Sequence, residues 1–155
     1  LRLVGVPLDD DGIDRDALAK LCAEHHPKAL YCNPVLLNPA AVTLSDERRH
    51  RVVQIARRHN LPIIEDDAYG LLPSHRPPAL AALAPELTYY LCGFSKSLGA
   101  GLRIAYLALP SARLRSRLAV RRSISSSTIW PSASWLIRSK STLMGNGLTT
   151  VSSSL

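Results

Sequence analysis

Short apolar runs alternate along the chain with polar, periodic stretches, and this alternation predicts strands and helices in turn. Leu1 to Leu8 is apolar and β-branched and stops at the acidic turn Asp9-Asp10-Asp11-Gly12, which predicts a strand and then a turn. Asp14 stands where an N-cap belongs, ahead of a predicted helix from Arg15 to about His25 with Ala17, Leu18 and Leu21 on one face. Ala29 to Cys32 reads as a short buried strand ending at Asn33-Pro34. Ser45 reads as a second N-cap, with Asp46 and Glu47 in the first turn, where the helix dipole favours acids. That helix should run to about Asn60, with Val52, Val53, Ile55 and Ala56 apolar and Pro62 beyond as a stop. Leu61 to Ile64, Tyr89 to Cys92 and Leu102 to Leu109 read as further strands.

Strands separated by helices in units of roughly 30 residues predict an α/β fold, a mostly parallel sheet with helices on both faces. Ligands of such sheets bind beyond the carboxyl ends of the strands. Three polar clusters, at Asn38, Asp66 and Lys96, fall just past expected strand ends.

Composition divides the chain. Residues 1–109 carry 12 Lys plus Arg against 12 Asp plus Glu, whereas residues 110–155 carry seven basic residues and no acidic one, so the net charge of +7 belongs to the C-terminal part. Serine follows the same break, with four before residue 110 and thirteen after it. The expected organisation is one domain over residues 1–122 and a Ser/Arg-rich tail over 123–155, either disordered or the product of a shifted reading frame. A nucleic-acid arm ranks below these, because seven charges without a DNA-binding motif give at most weak, salt-sensitive binding.

Cys22, Cys32 and Cys92 are odd in number and share no metal-ligand spacing, which argues against a disulfide framework or a zinc site and for a reducing compartment. No apolar run approaches the ~20 residues of a membrane span, and no charged segment followed by an apolar one opens the chain. A cytoplasmic location is expected. The chain begins at Leu1 rather than Met, which suggests a fragment of a longer protein.

Taken singly, the chemistry-bearing residues keep ordinary alternatives. Lys96 lies in a Ser-Lys-Ser loop, the usual setting of an exposed lysine, and Tyr69 and Asn38 suit a half-buried core tyrosine and an Asn-Pro turn. Glu65, Asp66 and Asp67 are three adjacent carboxylates; a hard-cation site from them is awkward, since successive strand side chains point to opposite faces. Arg103, between Leu102 and Ile104, is either a strand-edge arginine or the partner of a buried anion. The five histidines read as solvated or capping residues, and Arg48, Arg49, Arg51, Arg57 and Arg58 as an exposed helix face. Ser95 has no GxSxG or SxxK surroundings that would make it a hydrolase nucleophile.

Together, Asn38-Pro39-Ala40-Ala41, Asp66-Asp67-Ala68-Tyr69 and Ser95-Lys96 with Arg103 seven residues on resemble the NPTG, D-x-A-Y and S-K-x(6)-R signatures of class I/II, fold-type-I aminotransferases. Leu44-Ser45-Asp46-Glu47-Arg48-Arg49, Ile64 to Gly70, and Phe94 to Leu98 through Gly101-Leu102-Arg103 are similar to the aminotransferase-like domain of MocR-type GntR regulators. The resemblance covers roughly residues 3–122 and does not extend to the tail.

The resemblance implies pyridoxal 5'-phosphate as cofactor, an incomplete fold-type-I large domain, and amino-group transfer between an amino acid and a 2-oxo acid. Lys96 would bond the cofactor's aldehyde and, once released, move a proton. Such an amine benefits from a dry, cation-rich site. Asp66 would pair with the pyridine nitrogen, Tyr69 and Asn38 would hydrogen-bond the phenolic oxygen, and Ser95 and Arg103 would complete the cofactor-binding set, Arg103 by clamping the phosphate. Two departures stand out: Ala40-Ala41 replaces Thr-Gly, and Gly93 stands where a phosphate-binding serine is expected. The family's glycine-rich phosphate loop, ring-stacking aromatic and substrate-binding arginine have no recognisable counterpart in the sequence. The rival functions are the cofactor-binding effector domain of a transcription regulator and an inactive truncated product. A homodimer is implied for the full-length parent, and DNA contact only through a domain outside this sequence.

Overall fold

The computed structural model describes residues 2–99, 104–114 and 135–138. Its scaffold is a six-stranded sheet built from β1 (Arg2–Gly5), β4 (Ala29–Cys32), β5 (Ile63–Asp66), β6 (Thr88–Gly93), β7 (Ala105–Ala108) and β8 (Trp135–Arg138), in the order β1, β8, β4, β5, β6, β7. β4, β5 and β6 run parallel, with Leu30 opposite Ile63, Cys32 opposite Glu65 and Asp66 opposite Leu91. The flanking pairs are antiparallel: β7 along β6, and β8 along both β1 and β4. The α/β reading holds, with the parallel pairs gathered at the centre. β8 comes from the stretch that composition sets apart as a tail; four residues among serines carry too little pattern to stand out, and their pairing with β1 and β4 is non-local.

The Asp-rich turn folds into its own ribbon, β2 (Leu8–Asp9) antiparallel to β3 (Gly12–Ile13). Gly12 takes a φ of 102°, and a side chain there would meet Leu44, so the turn requires glycine on both counts.

Local signals set the helix starts. Asp14 accepts from the backbone N–H groups of Asp16 and Ala17 at the head of α1 (Arg15–His25), which ends at His26 in the left-handed region. Ser45 Oγ accepts from Arg48 N–H at the head of α2 (Asp46–Arg58). Each cap is worth about 1 kcal/mol. A third helix, α3 (Leu80–Leu83), has no side-chain cap of its own at Ala79.

Leu18 and Cys22 of α1, Val52, Val53 and Ala56 of α2, and Leu80 meet Leu30, Cys32 and Ile63 of the sheet in one buried cluster. The three helices therefore cover one face of the sheet; the second helical layer expected from the sequence is not found among the described residues. On the opposite face Tyr31, Ile64 and Tyr89 are only half-buried. No helix among the described residues is long and apolar enough to cross a membrane.

Candidate functional site

Three carboxylates in succession leave β5, and each meets a different fate. Glu65 points toward the helices, fully buried, where its two oxygens accept from Leu80 N–H at 3.0 Å and Ala81 N–H at 2.8 Å. It thereby caps α3, and the Arg49 guanidinium stands 3.9 Å away. Burial pushes the Glu65 carboxyl above the ordinary range, while the two N–H groups and Arg49 oppose that shift.

Asp67, 2% exposed, accepts from the Tyr90 hydroxyl and from Arg76 Nη1 at 2.7 Å, while its Oδ1 finds no hydrogen-bond partner. Arg76 also donates to Gly70 O at 3.0 Å. A side chain at Gly70 would run into the Asp67 carboxylate and Arg76, so glycine permits this close approach. The cluster ties the 67–76 loop to β6.

Asp66 lies between them and faces the other way. It is half-buried at the last position of β5, accepts from the Tyr31 hydroxyl at 2.7 Å, and takes a further hydrogen bond from Ala68 N–H. Burial raises its carboxyl above the ordinary range, the Tyr31 hydrogen bond counters this, and the nearby Asp67 charge adds to it. No described residue forms an ion pair with Asp66. Desolvated carboxylates are costly without a cation, so this position has the electrostatics of an incomplete pair.

Topology brings the loops that carry Asn38, Tyr69, Ser95 and Lys96 to the same rim. β4, β5 and β6 are neighbours and parallel, so the loops that leave their carboxyl ends share one edge of the sheet. The loop after β4 carries Asn38, exposed, inside a turn closed by Leu37 N–H to Val42 O at 2.8 Å and Ala41 N–H to Leu37 O at 2.6 Å. Ala41 there has a φ of 55°, a left-handed value that favours the glycine the family pattern leads one to expect. Tyr69 is half-buried in the loop after β5, three residues beyond Asp66.

After β6, the turn holding Ser95 and Lys96 is organised by the Phe94 carbonyl, which accepts from Ser97 N–H at 3.3 Å and Leu98 N–H at 2.9 Å. The Phe94 ring packs edge-on against Tyr106 of β7, with centroids 5.3 Å apart. Ser95 is half-buried and Lys96 exposed, so the dry, cation-rich setting expected for the lysine is not formed by the described residues. Arg103 lies outside the described residues. A Cβ at Gly93 would touch nothing within 4 Å, so there is room for the hydroxyl that is missing there.

The exposed-face reading of the α2 arginines is corrected in two places. Arg49 is fully buried and donates to Leu44 O at 3.0 Å, Pro34 O at 2.9 Å and Pro78 O at 3.1 Å. One planar guanidinium thus joins the start and end of the Asn38 loop to the end of the Tyr69 loop. Arg48 is largely covered as well, bonding Asp9 at 2.8 Å and Ile13 O at 2.7 Å and so pinning the β2–β3 ribbon. Among the described residues no group of three or more His, Cys, Asp or Glu side chains is placed to hold a metal ion.

Sequence motifs did not single out Tyr31 or Tyr90, and they gave Arg49 as part of a helix-start motif without its role as a buried anchor. Tyr31 and Tyr90 meet acids 35 and 23 residues away, and two of the three carbonyls on Arg49 lie 15 and 29 residues away, beyond any local pattern.

A family model described as aminotransferase class I and II matches residues 2–149, which carries the likeness past residue 122 and into the serine-rich stretch. The uncharacterized HTH-type transcriptional regulator YdeF of Bacillus subtilis is 36% identical over 110 residues, covering 71% of this chain and 24% of the relative. The 2-aminoadipate transaminase of Thermus thermophilus is 37% identical over 111 residues, covering 68% of this chain and 28% of the relative. Among solved structures, LysN, an alpha-aminoadipate aminotransferase of Thermus thermophilus complexed with N-(5'-phosphopyridoxyl)-L-leucine, matches with a TM-score of 0.65 at 34% identity, over 74% of this chain and 32% of that one. The chain spans about a quarter of the length of these curated relatives. With this family match over most of its length, and with its motif-bearing loops gathered at one rim of an α/β sheet, the chain belongs to the class I and II aminotransferase family.

Proposed function

We propose that this chain is the part of a pyridoxal-phosphate-dependent, aminotransferase-like protein that holds the cofactor's ring and carries the lysine to which it is joined. The observation that carries the reading is Asp66, a half-buried carboxylate at the end of the central parallel strand that lacks a cation among the described residues. A protonated ring nitrogen is the cation such an acid calls for, so the residues present fit the group. Bound pyridoxal phosphate supplies an electron sink for the substrate carbon that gives up a proton.

The chain's own groups have distinct tasks. Asp66 accepts the ring N–H and keeps that nitrogen charged. Tyr69 and Asn38 donate hydrogen bonds to the phenolic oxygen, and Ser95 and Arg103 bind the phosphate, with the planar fork of Arg103 suited to two of its oxygens. Lys96 would hold the cofactor through Nζ and, as a free amine, would take and return the proton at a substrate's α-carbon. In the full-length parent these steps would exchange an amino group between an amino acid and a 2-oxo acid, in a cytoplasmic homodimer.

The likeness to YdeF, an HTH-type regulator, favours a second use of the same site. There the parent binds cofactor and an amino-acid effector and answers through a DNA-binding domain outside this sequence. Both uses require the cofactor to join Lys96. Incubation with pyridoxal phosphate, reduction with borohydride and peptide mass mapping should place the phosphopyridoxyl group on the Lys96 peptide. The label should vanish in Lys96→Ala; labelling spread over other lysines, or none at all, would overturn the reading. Product formation from an amino acid and a 2-oxo acid by the full-length parent then separates enzyme from sensor.

A further inference from the structure

Asp66 carries more than its place in a motif. Tyr31 stands on β4 level with Ile64, and Asp66 lies two residues further along the neighbouring parallel strand, so both side chains leave the sheet on the face away from the helices. The Tyr31 hydroxyl reaches across to Asp66 Oδ2 at 2.7 Å, joining residues 35 positions apart. A carboxylate has about four acceptor sites. The Tyr31 hydroxyl and Ala68 N–H occupy two, which leaves about two, enough to accept a further N–H.

The surroundings of Asp66 otherwise work against its charge. Asp67 follows it just beyond the end of the strand and works against its charge, and Tyr31 reaches it from β4 with a neutral phenol. Glu65 faces the opposite side, and no described cation pairs with Asp66. Burial and Asp67 favour the neutral acid, and among the described residues Tyr31 is the side chain that holds Asp66 toward the anion. Tyr31 can do this at any working pH, because burial and the adjoining Asp66 charge push its own hydroxyl far above the ordinary tyrosine range. A hydroxyl donor also suits the geometry. A ring with two torsions, packed on a strand, presents its O–H in one direction, whereas a lysine would neutralise the charge the ring nitrogen needs.

We propose that Tyr31 is a positioning residue of this site, whose hydroxyl keeps Asp66 an anion and turns its unused acceptor sites toward the ring nitrogen of pyridoxal phosphate. This rests on the placement of that nitrogen at Asp66, and the test separates the two. In the full chain without cofactor, carbon NMR follows the Asp66 carboxyl through a pH titration, its signal assigned with Asp66→Asn. Tyr31→Phe should move the titration midpoint upward. With cofactor added, the same variant should bind pyridoxal phosphate about tenfold more weakly, the size expected for losing a hydrogen bond to a charged group, with its circular dichroism unchanged. An unmoved midpoint, or undiminished affinity, would overturn the proposal.

Asp66→Asn is the control for the underlying reading. If it binds as tightly as the natural chain, the ring nitrogen is not at Asp66 and both ideas fall. If it binds weakly while Tyr31→Phe binds normally, the site stands and Tyr31 is only part of the strand. Should Tyr31→Phe fail to fold, replacing the tyrosines with 3-fluorotyrosine, a stronger donor, should shift the Asp66 midpoint downward; no shift would refute the pairing.

Discussion

The two sides of β5 treat neighbouring carboxylates in opposite ways. Glu65, on the helix side, has both oxygens bonded to backbone N–H groups and faces a guanidinium whose own donors reach three carbonyls. Asp66, on the rim side, is half-buried, near another acid, and balanced by a phenol and one backbone N–H. A satisfied buried network specifies structure, and its members cannot be spared. A desolvated charge left short of a partner points to something outside the chain. One strand thus carries a fully partnered acid and an incompletely partnered one, one residue apart, and the proposed cofactor site assigns the second its role.

The sharpest way to break that comparison is to remove the structural partner. Arg49→Leu strands Glu65 and frees three loop carbonyls, and should cost about 3–5 kcal/mol in denaturant unfolding. A loss under about 1 kcal/mol would mean that Arg49 does not hold the loops.

The functional side should behave differently with pH. The folded-state carboxyl of Asp66 lies above its unfolded value of about 3.9, so its contribution to stability is fully present below that pH and is lost as pH rises through the folded value. Asp66→Asn should therefore fold as well as the natural chain or better at neutral pH, and should lose part of the decline with rising pH. Glu65 shifts in the same direction and remains in the variant, so the difference between the two unfolding curves is the quantity to read. A variant less stable at neutral pH would place Asp66 among the structural acids.

Smaller effects come from the two departures from the family pattern. Ala41 holds a φ of 55°, and Ala41→Gly relieves that strain at the price of a looser unfolded chain, for a net gain of about 0.5–1 kcal/mol in thermal unfolding. Gly93 has open space where a side chain would go. Gly93→Ser should tighten pyridoxal phosphate several-fold, as one added hydrogen bond worth about 0.5–1.5 kcal/mol implies, without altering stability. Unchanged affinity would move the phosphate away from residue 93.

What could be read in the sequence was what local chemistry decides. Asp14 and Ser45 start their helices through bonds to residues two or three positions on, and the apolar runs at Ala29 to Cys32 and at Ile63 give buried strands. The proposed site could be suggested from sequence because Asn38, Tyr69 and Lys96 sit in loops leaving neighbouring parallel strands, whose carboxyl ends share one rim. What escaped notice depends on distant partners. α3 is four residues long and receives its cap from Glu65, 15 positions upstream. Arg49 looks like its neighbours Arg48 and Arg51 until the carbonyls of Pro34, Leu44 and Pro78 converge on it. β8 makes sense only between β1 and β4, and the Tyr31 hydroxyl only beside Asp66.

The central claim is that this rim holds a phosphorylated pyridine ring joined to Lys96, and borohydride trapping followed by peptide mapping tests it most directly. A single phosphopyridoxyl group on the Lys96 peptide, weakened in Asp66→Asn and absent in Lys96→Ala, is the expected result. Labelling that persists without Lys96, or that Asp66→Asn leaves undiminished, would contradict it.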